Sequence, residues 1–179
     1  MGESSSRDQS CWKRLWGLKI PPRIKMFLWR ICVDSLPTNL NLSRRLSSID
    51  YRCDACGDLV ESDIHIFVYC PMAEEIWLRS GMEVLYLKGD YSSMAHLVEV
   101  LMGSSEDDRL GNYAVVLWAI WNCRNKQRYD RLEGGWQSAG LRAVQFVDEF
   151  RGVVLHEEGG GQAGNLVQVG NLPCQGYGS

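Results

Sequence analysis

Four residues constrain this chain more than any others. Cys53, Cys56, His65 and Cys70 stand in order as C-x2-C-x8-H-x4-C. Three thiols and one imidazole are the donor set of a closed, tetrahedral zinc site. A lone CxxC pair carries little weight, but a histidine and a third cysteine following it at ligand spacing carry much more. All four positions are filled by protein, so the spacing predicts one structural Zn2+ and no metal-bound water to activate. Three thiolates, a neutral imidazole and Zn2+ sum to a formal −1, so the centre itself does not draw phosphate. The competing reading is four unrelated buried residues that happen to fall in this order.

The chain has 179 residues, room for one domain or two small ones. A hydrophobic share of 45% is enough to bury a core, which excludes global disorder. The formal net charge of −3 hides a strong asymmetry. From Trp12 to Cys53 there are nine Lys/Arg against two Asp; from Asp54 to Gly111 there are twelve Asp/Glu against three Lys/Arg. Such segregation suits a surface that faces a polyanion, or two segments that simply pack side by side. No apolar run approaches the ~20 residues of a membrane span. Residues 1–10 read as a polar leader without a secretory apolar stretch, although Met1-Gly2-Glu3-Ser4-Ser5-Ser6 fits the permissive myristoylation pattern. Seven cysteines, three at zinc spacing and four scattered, point to a reducing intracellular compartment, nucleus or cytoplasm.

The periodicity is helical. Pro21-Pro22 opens a helix in which Ile24, Phe27, Leu28 and Ile31 form one apolar stripe, with Arg23, Lys25 and Arg30 off it. Pro37 ends that helix, and Thr38 caps the next, which is expected to carry Leu42, Arg44, Arg45 and Leu46. Gly57 relieves backbone strain in the cysteine turn. Ser62 caps a short helix holding His65, and Pro71 opens another that ends at Gly81. Ser92 or Ser93 starts a further helix, and Ser105-Glu106-Asp107-Asp108 starts one expected to run to about Asp130, before Gly134-Gly135. A less regular helix is expected over 136–155, then a glycine-rich disordered tail. The fold class is therefore mostly α: a small helical domain with a CCHC zinc knuckle, a C-terminal helical extension and a loose tail. The divisions are 1–10 leader, 11–81 zinc-binding domain, 82–155 helical extension and 156–179 tail.

Six residues are candidates for nucleic-acid contact: Arg23, Lys25, Arg30, Arg44, Arg45 and Arg52, all preceding the knuckle. Basic side chains meet phosphate, and Trp16 and Trp29 nearby offer rings for stacking on bases. The competing readings are a solvated helix face and core tryptophans, and helical spacing favours the core for both rings. His96 and His156 lack ligand-spaced partners. Cys32 and Cys123 read as small buried hydrophobes, and Cys11 and Cys174 show no pairing. No phosphate loop, nucleophile elbow or acid/base constellation is found, so no catalytic residues are assigned.

These residues resemble a known family. Cys11-Trp12-Lys13-Arg14-Leu15-Trp16, the run Lys19 to Arg30, Leu36-Pro37-Thr38, Cys53-Asp54-Ala55-Cys56, Glu61 to Phe67, Cys70 and Trp77 are together similar to the reverse-transcriptase zinc-binding domain of plant non-LTR (LINE-type) retroelements. Trp118-Ala119-Ile120-Trp121-Asn122-Cys123-Arg124-Asn125 looks like the helix that often links this domain to ribonuclease H. The resemblance covers roughly residues 11–80. It implies zinc at Cys53, Cys56, His65 and Cys70, and a role on RNA or single-stranded DNA beside reverse transcriptase and ribonuclease H domains. The sequence has no YxDD polymerase motif, no endonuclease region and no acidic ribonuclease H core. The expectation is a non-catalytic, nucleic-acid-binding zinc module with no small-molecule substrate and no membrane partner. The alternative is a zinc-stapled docking module for a polymerase or ribonuclease H neighbour, or a retroelement fragment without a selected function.

Overall fold

A computed structural model describes residues 12–57, 60–82, 89, 91–130, 145–146, 148–150 and 152. The expected leader, the Gly134-Gly135 break, most of the 136–155 helix and the 156–179 tail lie outside these residues. So do Cys11, His156 and Cys174.

The elements follow the local signals. Residues 12–17 are helical (α1). Helix α2, Pro22–Cys32, begins on a proline whose fixed φ suits the first turn, and it buries Ile24, Phe27, Leu28 and Ile31. Helix α3, Asn39–Ser43, is capped by Thr38, whose hydroxyl accepts the N–H of Asn41 at 3.1 Å. A π-helical turn spans His65–Tyr69 and runs into α4, Pro71–Arg79. Ser93 caps α5, Met94–Ser104, by accepting the N–H of His96 at 3.2 Å. Helix α6, Asp107–Asp130, starts with Asp107 and Asp108 against the positive end of its dipole. Among the described residues the only β pairing is one antiparallel bridge, Arg52 with Val60.

Helix α6 is the spine. Helices α2 and α4 and the π-turn all pack on it, and α5 packs on α2. At the junction of α2, the π-turn and α6 the rings interlock: Phe27 meets Trp118 edge-on at 5.1 Å and Phe67 at 5.9 Å, and Phe67 lies 6.3 Å from Trp121. Such pairs add about 0.5–1.5 kcal/mol each beyond burial. The indole N–H of buried Trp77 donates to the Phe67 carbonyl at 2.8 Å, which ties α4 to the π-turn. Gly111 lets the α1–α2 connection approach α6 closely, since a Cβ there would sit 3.2 Å from Ile20 Cγ2. The expected helical extension thus shares one core with the metal-binding segment, and Phe146 and Phe150 are buried in it too.

Two expectations fail. The helix expected to run through Leu46 stops at Ser43, and Leu46 is exposed. The last turn tightens, with Arg45 N–H bonding the Leu42 carbonyl at 3.0 Å, and the chain turns back toward Cys53. Asn39 fixes that return through its amide, which donates to the Arg52 carbonyl at 2.7 Å. Trp16 and Trp29 are not core residues; they are 45% and 38% exposed. The core face of α2 is filled by its aliphatic and phenyl groups, which leaves Trp29 on the opposite side.

One buried polar network fastens α6 to the knuckle. Arg124 is 2% exposed and Glu61 is 0% exposed at their side chains. The guanidinium grips the carboxylate with two donors, Nε at 3.2 Å to Oε2 and a terminal nitrogen to Oε1. It also donates to Asn39 Oδ1 at 3.1 Å and stands 5.2 Å over the Trp121 ring. Glu61 Oε1 accepts the Asn39 N–H at 2.7 Å, so the carboxylate also anchors the start of α3. Removing one partner of a desolvated pair strands the other charge. Arg124→Met is expected to lower stability by about 3–5 kcal/mol in urea unfolding, with the double variant Arg124→Met/Glu61→Leu recovering much of that loss. A single-variant loss under about 1 kcal/mol would show that the pair does not secure this junction.

Candidate metal centre

The four predicted ligands come from two local devices. The first is the turn Cys53–Cys56. The Gly57 N–H donates to the Cys53 carbonyl at 2.8 Å, and Gly57 closes the turn at φ +77°, a conformation open to a residue without Cβ. The Arg52–Val60 bridge and the Glu61 N–H bond to the Tyr51 carbonyl, 2.8 Å, close the loop at its base. The second device is the π-turn. Ser62 Oγ caps it by accepting the His65 N–H at 3.2 Å, and the Cys70 N–H reaches back five residues to the His65 carbonyl at 2.7 Å. On an α-helix, residues five apart stand roughly 140° from each other. The wider π-turn brings His65 and Cys70 to the same side, so the HxxxxC spacing becomes a ligand pair.

The donor atoms of Cys53, Cys56, His65 and Cys70 all lie within 4.8 Å of one another. Cys53 Sγ is 3.9 Å from Cys70 Sγ, and Cys56 Sγ is 3.4 Å from His65 Nε2. Tetrahedral zinc with Zn–S bonds near 2.3 Å separates two sulfurs by about 3.8 Å. The residues therefore fit the ion in number, type and spacing.

The protonation pattern reflects the crowding. The hydrogen bond to Cys70 and burial push the Cys53 thiol up to about 12. Cys70 moves the other way: the Cys53 bond lowers it, and the amides of Met72 and Ala73 at the start of α4 help against burial. For His65, burial resists the charged ring, but Cys53 and Cys56 prevail and raise it. A bound Zn2+ would displace the thiol protons and supply a cross-link between turn and π-turn.

Helix α6 holds the cysteine turn from outside. Arg128 donates to Asp54 Oδ2 at 2.9 Å and also to Asn39 Oδ1, and Gln127 Nε2 donates to the Asp54 carbonyl at 3.3 Å. These positioning residues carry no ligand signature. Arg128 and Gln127 carry no mark in the sequence, whereas Arg124 follows directly on the largely apolar run Trp118 to Cys123.

Residues 2–77 match the family described as zinc-binding in reverse transcriptase. That segment is similar to the zinc-binding domains found in reverse transcriptases. The chain is also similar to a putative ribonuclease H protein of Arabidopsis thaliana, 35% identical over 114 residues, which cover 62% of this chain and 18% of the relative. The chain thus spans about a fifth of that relative's length. No solved structure matches it. The matched segment holds the four ligands, and the 114 residues aligned to the Arabidopsis protein are more than that segment contains.

The six basic candidates do not form one group. Arg30, Arg44 and Arg45 line a single cleft of about 310 Å³ between the end of α2 and α3, with Asp34, Ser35 and Asn41. Lys25 is half-buried and its Nζ donates to the Trp16 carbonyl at 2.7 Å. Arg23 is half-buried on the same helix. Arg52 is exposed on the knuckle bridge, where its carbonyl serves Asn39.

The purified protein is expected to carry one zinc per chain. Cys53→Ser or Cys70→Ser should remove it and unfold at least residues 51–80, read by elemental analysis and circular dichroism. Unchanged metal content and an unchanged spectrum in both variants would refute the site.

Proposed function

We propose that this chain is a non-catalytic nucleic-acid-binding module of LINE-type retroelement origin, acting on RNA or single-stranded DNA within a longer protein. Structural zinc at Cys53, Cys56, His65 and Cys70 sets the knuckle, and the α2–α3 surface meets the phosphates. The observation that carries this reading is the cleft shared by Arg30, Arg44 and Arg45. Three carboxylates of the acidic segment are paired elsewhere, and of the rest Asp63 comes within electrostatic reach of Arg44. Asp54, Glu61 and Asp107 are engaged by Arg128, Arg124 and Arg14, a different set of cations. Within the cleft the one carboxylate is Asp34, which accepts from Asn41 at 2.9 Å and stands 3.8 Å from Arg44. Three guanidiniums against Asp34 and the nearby Asp63 leave a net cationic surface suited to a phosphate backbone. The described cysteines are free thiols, in keeping with a reducing compartment, nucleus or cytoplasm.

A second reading is a docking module for neighbouring polymerase or ribonuclease H domains. Leu46, Leu78 and Tyr129, each more than half exposed, favour it, as does the name of the Arabidopsis relative.

Fluorescence anisotropy with labelled single-stranded RNA and DNA tests the first reading. Binding should weaken linearly in log salt, and Arg44→Ala/Arg45→Ala should flatten that slope by about 1.4, since each phosphate contact on a single strand contributes about 0.7. Both arginines are exposed, so the variant should keep its fold. Absence of binding to either polymer at micromolar protein and low salt would refute the reading.

A further inference from the structure

Helix α2 has two opposed faces. One buries Ile24, Phe27, Leu28 and Ile31. On the other, Met26 and Trp29, and then the C-cap residue Val33, follow at steps of three and four, 47%, 38% and 44% exposed. At about 100° per residue these three make one outward stripe, with Lys25 along one flank and Arg30 along the other. The helix contains no Asp or Glu. The Lys25 bond to the Trp16 carbonyl brings the end of α1, with exposed Trp16, to the first flank. Arg30 opens the second flank into the cleft shared with Arg44 and Arg45. An indole and a thioether are thus laid bare between cations, beside a cationic cleft.

We propose that this stripe is a base-stacking platform. Trp29 stacks on an unpaired base while the flanking phosphates lie along Arg30 and into the Arg44–Arg45 cleft, so that the module selects single strands over duplex. The inference rests on the nucleic-acid reading above and adds strand selectivity to it. Flanking cations on both sides favour a polyanion over an apolar protein surface, which would have to desolvate them. In a duplex the base faces are already stacked on one another, so Trp29 gains nothing there. On a single strand each aromatic–base contact contributes severalfold or more to affinity, with little dependence on sequence.

The test compares a labelled twelve-nucleotide single strand with the duplex of the same sequence, by anisotropy at one fixed salt. The wild-type chain should prefer the single strand by roughly tenfold. Trp29→Ala should erase that preference, and Trp29→Phe, which keeps a ring, should retain most of it. Thermal melting by circular dichroism checks that both variants are folded, as expected for an exposed side chain. If wild type binds both forms equally, or if Trp29→Ala leaves the preference intact, the platform is refuted while arginine-driven binding stands. If sedimentation shows a dimer that Trp29→Ala dissociates with oligonucleotide affinity unchanged, the stripe is a self-docking face and the inference falls. If wild type binds neither form, both the inference and the reading beneath it fall.

Discussion

A guanidinium buried near the C-terminal end of α6 holds three distant parts of the chain in one place. Arg124 reaches Glu61 and Asn39, 63 and 85 residues away in sequence. Glu61 in turn receives the first N–H of α3, and Asn39 holds the strand-like return of Arg52. A charge this deeply buried is tolerated only where every donor finds an acceptor. The network therefore fixes geometry more than it adds net stability. It sets the height at which the knuckle sits on α6, and Arg128 and Gln127 then engage Asp54 inside the cysteine turn. The metal ligands are ordered from within by the turn and π-turn, and from outside by a helix that contributes no ligand.

That arrangement would give a bound zinc a limited role and an important one. The cluster does not stand apart from the core: Cys53, Ile66, Phe67, Val68 and Cys70 are all part of it. The ion would cross-link two loops whose other sides are already packed on α6. With all four positions supplied by protein and a formal charge of −1, a bound zinc would not act on a nucleic acid directly. The proposed binding surface lies on α2 and α3, and the knuckle contributes by holding the start of α3, where Asn39 bonds Glu61 and the Arg52 carbonyl.

Much of this was legible locally. The ligand order, the α2 stripe, the Thr38, Ser62 and Ser93 caps and the Gly57 turn depend on residues within a few positions of one another, which sequence spacing reports directly. The readings that missed were long-range. The charge asymmetry left open whether the basic and acidic segments neutralise each other: Arg14 of the basic segment does pair with Asp107, but Asp54 and Glu61 are met by Arg128 and Arg124 from far along the chain. Trp29 read as core because it sits on a helix rich in apolar residues. Its exposure follows from which face of α2 meets α6, and no local rule sets that.

The sequence by itself determined that four soft donors would meet and that helices would surround them, because ligand type and apolar period are encoded residue by residue. Tertiary structure decided which arginines are used up inside and which are left to face outward. An arginine carries the same charge in either setting. Whether it is buried against Glu61 or left in an open cleft depends on which helix faces pack together, and that is fixed only when the whole core closes.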